Sequence, residues 1–302
     1  MSTLENSPCR SAAGRRTRMT ARFLVAFIFL FGVFLWKIPS NARLYLYSAV
    51  RESLKACAVA GTWRMEKISS EHFYVKFRPE NRTEAMLVLE TAERFYRPVT
   101  EDFHFRPRGK VPVILYPSRE ELNASFGWEA NENAMGVYWA GAIRVLSPNA
   151  WIGEADQRKV KEIFISSGPM AHELTHLMVD YLTGGNYPRW FTEGVAQYEE
   201  YKLTGFQFNE PAGSLRQDLY SIEALSRDFD SLPNQSLAYR QSFAAVRYIV
   251  DEYGEDNLHQ IIRMLRYNRD FDSVIHDVLG LSPADFEREW KAWAEENRQL
   301  FG

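Results

Sequence analysis

Residues 172–176 read His-Glu-Leu-Thr-His, and this spacing constrains the fold more than any other feature of the chain. On an α-helix, side chains four residues apart lie on one face, one turn above the other. Two imidazoles so placed can both reach a single zinc ion at about 2.0–2.1 Å. Glu173 then points beside them, where it can accept a proton from a metal-activated water. The flanking residues fit a helix. Ser166-Ser167-Gly168-Pro169 is expected to cap its start with proline near the first turn, and Gly184-Gly185 to end it. Met170, Leu174, Leu177, Met178 and Tyr181 fall at inward-facing positions.

Two imidazoles leave a catalytic zinc short of one protein ligand. Residues 188–194, Pro-Arg-Trp-Phe-Thr-Glu-Gly, open a second helical pattern that continues through Val195, Ala196, Tyr198 and Tyr201. The loop at 184–188 lets this helix fold back on the first. Glu193 is the expected third ligand, with Gly194 permitting close helix approach. Asp180, Glu199 and Glu200 are its rivals. Asp180 lies four residues past His176 on the same helix face. It is expected either to bond an imidazole N–H from behind or to face solvent near the helix end.

The remainder of the chain reads as α+β. His72–Phe77 alternates in strand fashion, a long helical pattern covers Thr83 to Asp102, and Val111–Tyr116 reads as a strand with Pro112 near its start or at an edge. Ser118 and Glu121 form a capping box for a short helix to Phe126. Gly136–Leu146 suggests a pair of short strands. After Gly205 the pattern is helical, with turns at Pro233, Gly254 and Gly280. Five segments are expected: a basic head over 1–22, an apolar segment over 23–38, a linker helix over 39–70, an α+β subdomain with the metal helix over 71–204, and a helical subdomain over 205–302. Trp63, Trp128, Trp139 and Trp151 are candidates to line a cleft, with most of them expected to pack in the core instead.

Charge and apolarity at the amino terminus bear on location. Arg10, Arg15, Arg16, Arg18 and Arg22 precede Phe23–Trp36, a run of 14 residues without a polar side chain. The leading expectation is an uncleaved single-pass anchor, with Arg22 and Lys37 reaching the interfaces and the arginine-rich head cytoplasmic. A cleaved signal, processed after Ala42, is the alternative. Either way residues 43–302 are expected outside the cytoplasm, periplasmic or on the cell surface. If the apolar segment crosses the membrane, Cys9 and Cys57 lie on opposite sides of it, which excludes an intramolecular disulfide. The net charge of −3 gives no ground for nucleic-acid binding, and the arginines over 263–269 read as a solvated or lipid-facing patch. An intramembrane protease is excluded, because the metal helix lies far from the apolar run and is flanked by Asp180 and Arg189.

HELTH followed by a glycine loop and PRWFTEGVAQY resembles the gluzincin metallopeptidases, and more closely the bacterial peptidase MA-like group. The resemblance runs from about Glu71 to the end. It takes in HFYVKF, VPVILY, MGVYWAGAIRVL, AYRQSFAAVRYIVDEYG and LGLSPADFEREWKAW. It implies a gluzincin-like fold, one zinc ion per chain, and hydrolysis of a peptide or protein substrate. It further implies that Tyr239 stabilises the oxyanion and that Ile143–Leu146 offers a sheet edge to peptide backbone. The alternative is a non-catalytic zinc-containing module that binds a peptide or partner of the cell envelope. An intact Glu173 argues against it.

Overall fold

Alternating apolar residues in the first half of the chain build a five-stranded mixed sheet. The computed structural model describes residues 40–127, 133–208 and 210–301. The basic head and apolar segment, residues 1–38, lie outside the described residues, as does Trp128. Strands β1 (Glu66–Ser69), β2 (Phe73–Phe77), β3 (Val111–Tyr116), β4 (Gly136–Trp139) and β5 (Ala142–Leu146) take the order β1-β2-β3-β5-β4. The β2–β3 and β3–β5 pairs are parallel, and the two outer pairs antiparallel. β3 and β5 are buried along nearly their whole length, which is why VPVILY and AIRVL read as continuous rather than alternating runs.

One strand expectation is overturned. Ile143–Leu146 is not a sheet edge, because β5 lies between β3 and β4. Ala140 and Gly141, both at positive φ, close a two-residue turn that returns the chain antiparallel and leaves β4 outermost. Trp63 and Trp139 also depart from expectation, as both are exposed rather than packed in the core.

Helices pack against the sheet and make up most of the second half of the fold. In chain order they are α1 (Ser40–Ala60), α2 (Arg82–Asp102), α3 (Arg119–Ala124), α4 (Gln157–Ser167), α5 (Met170–Thr183), α6 (Arg189–Thr204), α7 (Ile222–Arg227), α8 (Gln235–Tyr253), α9 (Glu255–Leu265), α10 (Phe271–Leu279) and α11 (Pro283–Glu296). The architecture is α+β, and no helix among the described residues is long and apolar enough to cross a membrane. Ser118 accepts the Glu121 amide and caps α3. Ser166 and Ser167, expected to cap the metal helix, instead end α4. α5 begins behind Pro169 with no side-chain cap.

The helix that follows the glycine loop is held by tight packing. A Cβ on Gly194 would sit 2.3 Å from the Ser242 carbonyl oxygen, so α6 approaches α8 more closely than any side chain permits. Trp190 and Phe191 are fully buried at the start of α6, each in ring contact with Phe271. Burying a side chain such as Phe191 is worth about 1.5–3 kcal/mol. Further along, Lys202 ties three helices together. Its Nζ lies 2.7 Å from Asp102 on α2, 2.8 Å from Glu199 on α6 and 2.7 Å from Glu255 on α9.

One ammonium cannot neutralise three carboxylates. Burial, then the charge of Asp102, pushes the Glu199 carboxyl up to about 7, against the opposing pull of Lys202. Glu199 Oε1 is buried without a hydrogen-bond partner. Because the folded value exceeds the ordinary 4.5, the contribution of Glu199 to stability is complete below 4.5 and is lost as pH rises through about 7. Glu199→Gln, a permanent mimic of the neutral acid, is therefore expected to gain melting temperature relative to the parent between pH 5 and pH 8. Parallel pH profiles for the two proteins would show that Glu199 ionises normally.

Candidate metal centre

α5 presents His172 and His176 one turn apart, and the left-handed Gly184 ends the helix so that the chain can reverse. α6 then returns Glu193 to the same point. Glu193 Oε2 lies 3.3 Å from His172 Nε2 and 3.4 Å from His176 Nε2. For metal–ligand bonds of about 2.0–2.1 Å at a tetrahedral angle, the ligand–ligand edge is about 3.3–3.4 Å. Both separations match that edge. One ligand atom from each of the three residues lies within 4.8 Å of the other two. The donor set, two imidazoles and a carboxylate, suits zinc or a similar divalent ion.

Each of the three is held from behind. His172 Nδ1 lies 3.2 Å from Glu200 Oε2, a pairing that keeps a proton on Nδ1 and turns the Nε2 lone pair toward Glu193. His176 Nδ1 pairs with the Thr192 hydroxyl at 2.7 Å. Arg189 Nη2 lies 3.0 Å from Glu193 Oε1, so the two carboxylate oxygens are divided between the guanidinium and the imidazoles. Glu200 could be found in the sequence, since it lies seven residues past Glu193 on the same face of α6. Thr192 carries no such signal, because a hydroxyl one residue before a ligand is common.

The rivals for the third ligand position are thereby accounted for. Glu200 stands behind His172, and Glu199 belongs to the Lys202 cluster. Asp180 meets neither expectation set for it. Only 1 % of its surface is exposed, and it bonds Tyr47, Arg51 and Tyr138 rather than an imidazole. A second group with metal-ligating atoms, Asp102, Glu255 and His259, also occurs among the described residues. Lys202 Nζ already stands between two of its carboxylates and would repel a cation there.

The charges of the cluster offset one another. Burial disfavours the imidazolium at His172, yet hydrogen bonds to Glu193 and Glu200 outweigh it and hold the ring well above its ordinary value. Burial likewise opposes ionisation of Glu193, but His176 and Arg189 overcome it and hold the carboxyl well below its usual range. Glu173 goes the other way. Burial raises it, with the adjacent imidazoles offsetting only part. Its Oε2 accepts the Tyr138 main-chain N–H at 2.5 Å, and Oε1 has no hydrogen-bond partner among the described residues. That main-chain donor has no counterpart in a sequence pattern. Tyr239, at the first turn of α8, faces Arg189 and Glu193 and packs edge-on to Phe229. The charge of Glu193, with burial, raises its phenol above the ordinary value.

The family model described as Peptidase MA superfamily matches residues 105–296, the stretch that contains His172, Glu173, His176, Glu193, Glu200 and Tyr239. No curated protein matches the chain.

Thr192→Val keeps the side-chain shape and removes the hydroxyl behind His176. Affinity for Zn²⁺, measured by competition with a chromophoric chelator, is expected to fall by about 10–100-fold with the melting temperature little changed. Unchanged affinity would mean that the hydroxyl does not orient the ring.

Proposed function

Because the chain belongs to the Peptidase MA superfamily, we propose that it is a gluzincin-type zinc metallopeptidase, tethered to a membrane by residues 23–38 with its folded part outside the cytoplasm. The observation that carries this reading is the position of Glu193 Oε2, 3.3 and 3.4 Å from the two Nε2 atoms at the separation tetrahedral zinc requires. The arginine-rich head before an apolar run supports the tether and its orientation. The substrate class is peptide or protein.

A zinc ion held by His172, His176 and Glu193 would polarise the scissile carbonyl and acidify a water molecule. The rest of the chemistry belongs to the protein. Glu173 accepts the proton from the attacking water on Oε1, while Oε2 stays fixed by the Tyr138 amide. It then delivers that proton to the leaving nitrogen. Burial favours the protonated form of Glu173, which assists the first of these transfers, acceptance of the water proton. Tyr239, whose phenol lies on the Glu193 side of the site, would hydrogen-bond the tetrahedral oxyanion. Arg189 keeps the ligand carboxylate from rotating.

Glu173→Gln separates this reading from a zinc-containing binding module. The variant is expected to retain its zinc and to cleave denatured casein about 10²–10⁴-fold more slowly than the parent. Cleavage at the parental rate would remove Glu173 from the mechanism, and a parent without cleavage of any peptide would favour the module.

A further inference from the structure

Glu173 and Asp180 are seven residues apart on α5, on one helix face, at a rise of about 10 Å. Tyr138 of β4 lies along that face and is fastened at both ends. Its main-chain N–H donates to Glu173 Oε2 at 2.5 Å, and its phenol donates to Asp180 Oδ2 at 2.6 Å. The Gly141 amide donates to the same phenol oxygen at 3.1 Å, which ties in the β4–β5 turn. β4 needs such fastening, since as the outer strand it has β5 alone as a partner. A Cβ on Gly136 would meet Pro169 at 2.6 Å and Glu173 Cγ at 3.0 Å, so the start of the strand also rests directly on α5.

The Asp180 end is closed by α1. Tyr47 donates its hydroxyl to Asp180 Oδ1 at 2.5 Å, and Arg51 Nη1 lies 3.2 Å from Oδ2. The Arg51 guanidinium stacks 3.5 Å from the Tyr181 ring centre. A buried carboxylate requires such a partner, and no other basic side chain pairs with Asp180 among the described residues. The Tyr47 ring lies against Gly185, at φ +76°, where a Cβ would come within 2.3 Å of it. The second glycine of the loop therefore makes room for α1.

We propose that Tyr47, Arg51 and Asp180 are positioning residues that act through Tyr138, holding β4 so that its main-chain amide stays on Glu173. α1 contributes no group to the metal centre, yet it closes the clamp that fixes the base. The catalytic consequence rests on the peptidase reading above, whereas the clamp itself does not. If residues 23–38 anchor the chain, the helix that follows them reaches the base through two side chains, Asp180 and Tyr138.

The test uses the full chain with Tyr47→Phe and Tyr138→Phe, each of which removes one hydroxyl and leaves the ring packed. Hydrogen–deuterium exchange at residues 136–139 is expected to speed up about tenfold in both, with β3 unchanged, because a hydrogen bond to a charged group is lost. On a quenched-fluorescent peptide mixture, kcat is expected to fall about tenfold while KM and zinc per chain stay within about twofold. The double variant is expected to be little worse than Tyr138→Phe alone, since both substitutions open one clamp. Unchanged exchange in β4 would overturn the clamp whatever the activity. Faster exchange with parental kcat would overturn its positioning role. Faster exchange in a protein that cleaves no peptide would leave the clamp standing and refute the peptidase reading instead.

Discussion

A carboxylate oxygen held between two imidazole nitrogens, with Glu193 and His176 buried and His172 partly so, is the constraint on which the rest of the molecule depends. Glu193 Oε2 sits between Nε2 of His172 and of His176 only because α5 and α6 meet in one register. That register has three sources. Gly184 ends α5 in the left-handed conformation, the short loop reverses the chain, and Gly194 lets α6 seat on Ser242 of α8. Trp190 and Phe191, fully buried four and three residues before Gly194, fix the rotation of α6 about its own axis. The helical half of the fold thus serves chiefly as the wall against which one carboxylate is aimed.

Polar residues behind the site carry out the finer adjustment. Glu200, Thr192 and Arg189 each take the free atom of one metal-facing side chain, so every ring and carboxylate has one orientation that satisfies all its partners. Two further networks flank these. Lys202 joins α2, α6 and α9 at the end of α6 away from the loop the two site helices share, and Asp180 joins α1, α5 and β4 at the end of α5 beside that loop. Both helices that bear the site are therefore pinned by charge, α6 at the end away from their shared loop and α5 at the end beside it.

Much of this was legible in the sequence, for identifiable reasons. Imidazoles at i and i+4 announce a helix face, and a glutamate followed by glycine in an apolar helical pattern announces a packed second helix. The strands at Phe73–Phe77 and Val111–Tyr116, the Ser118 cap, and the helices after Gly205 were equally open, since periodicity and punctuation agree there. Other features were not legible because they depend on tertiary neighbours. β4 became the edge in place of Ile143–Leu146 because a two-residue turn sent the chain outward rather than inward. Asp180 has the spacing of a helper to His176, yet Tyr47, Arg51 and Tyr138 converge on it from far along the chain. Ser166 and Ser167 resemble a cap only while α4 is unseen. The Tyr138 amide could not be read at all, because every residue but proline carries one.

The most direct test is the zinc content of the full-length protein, purified without added metal, beside His172→Ala and Glu193→Gln. The account predicts about one zinc per chain in the parent and a large loss in both variants, each protein remaining folded by circular dichroism. A parent that holds no zinc and takes none up, or a His172→Ala protein that keeps a full complement, would contradict it.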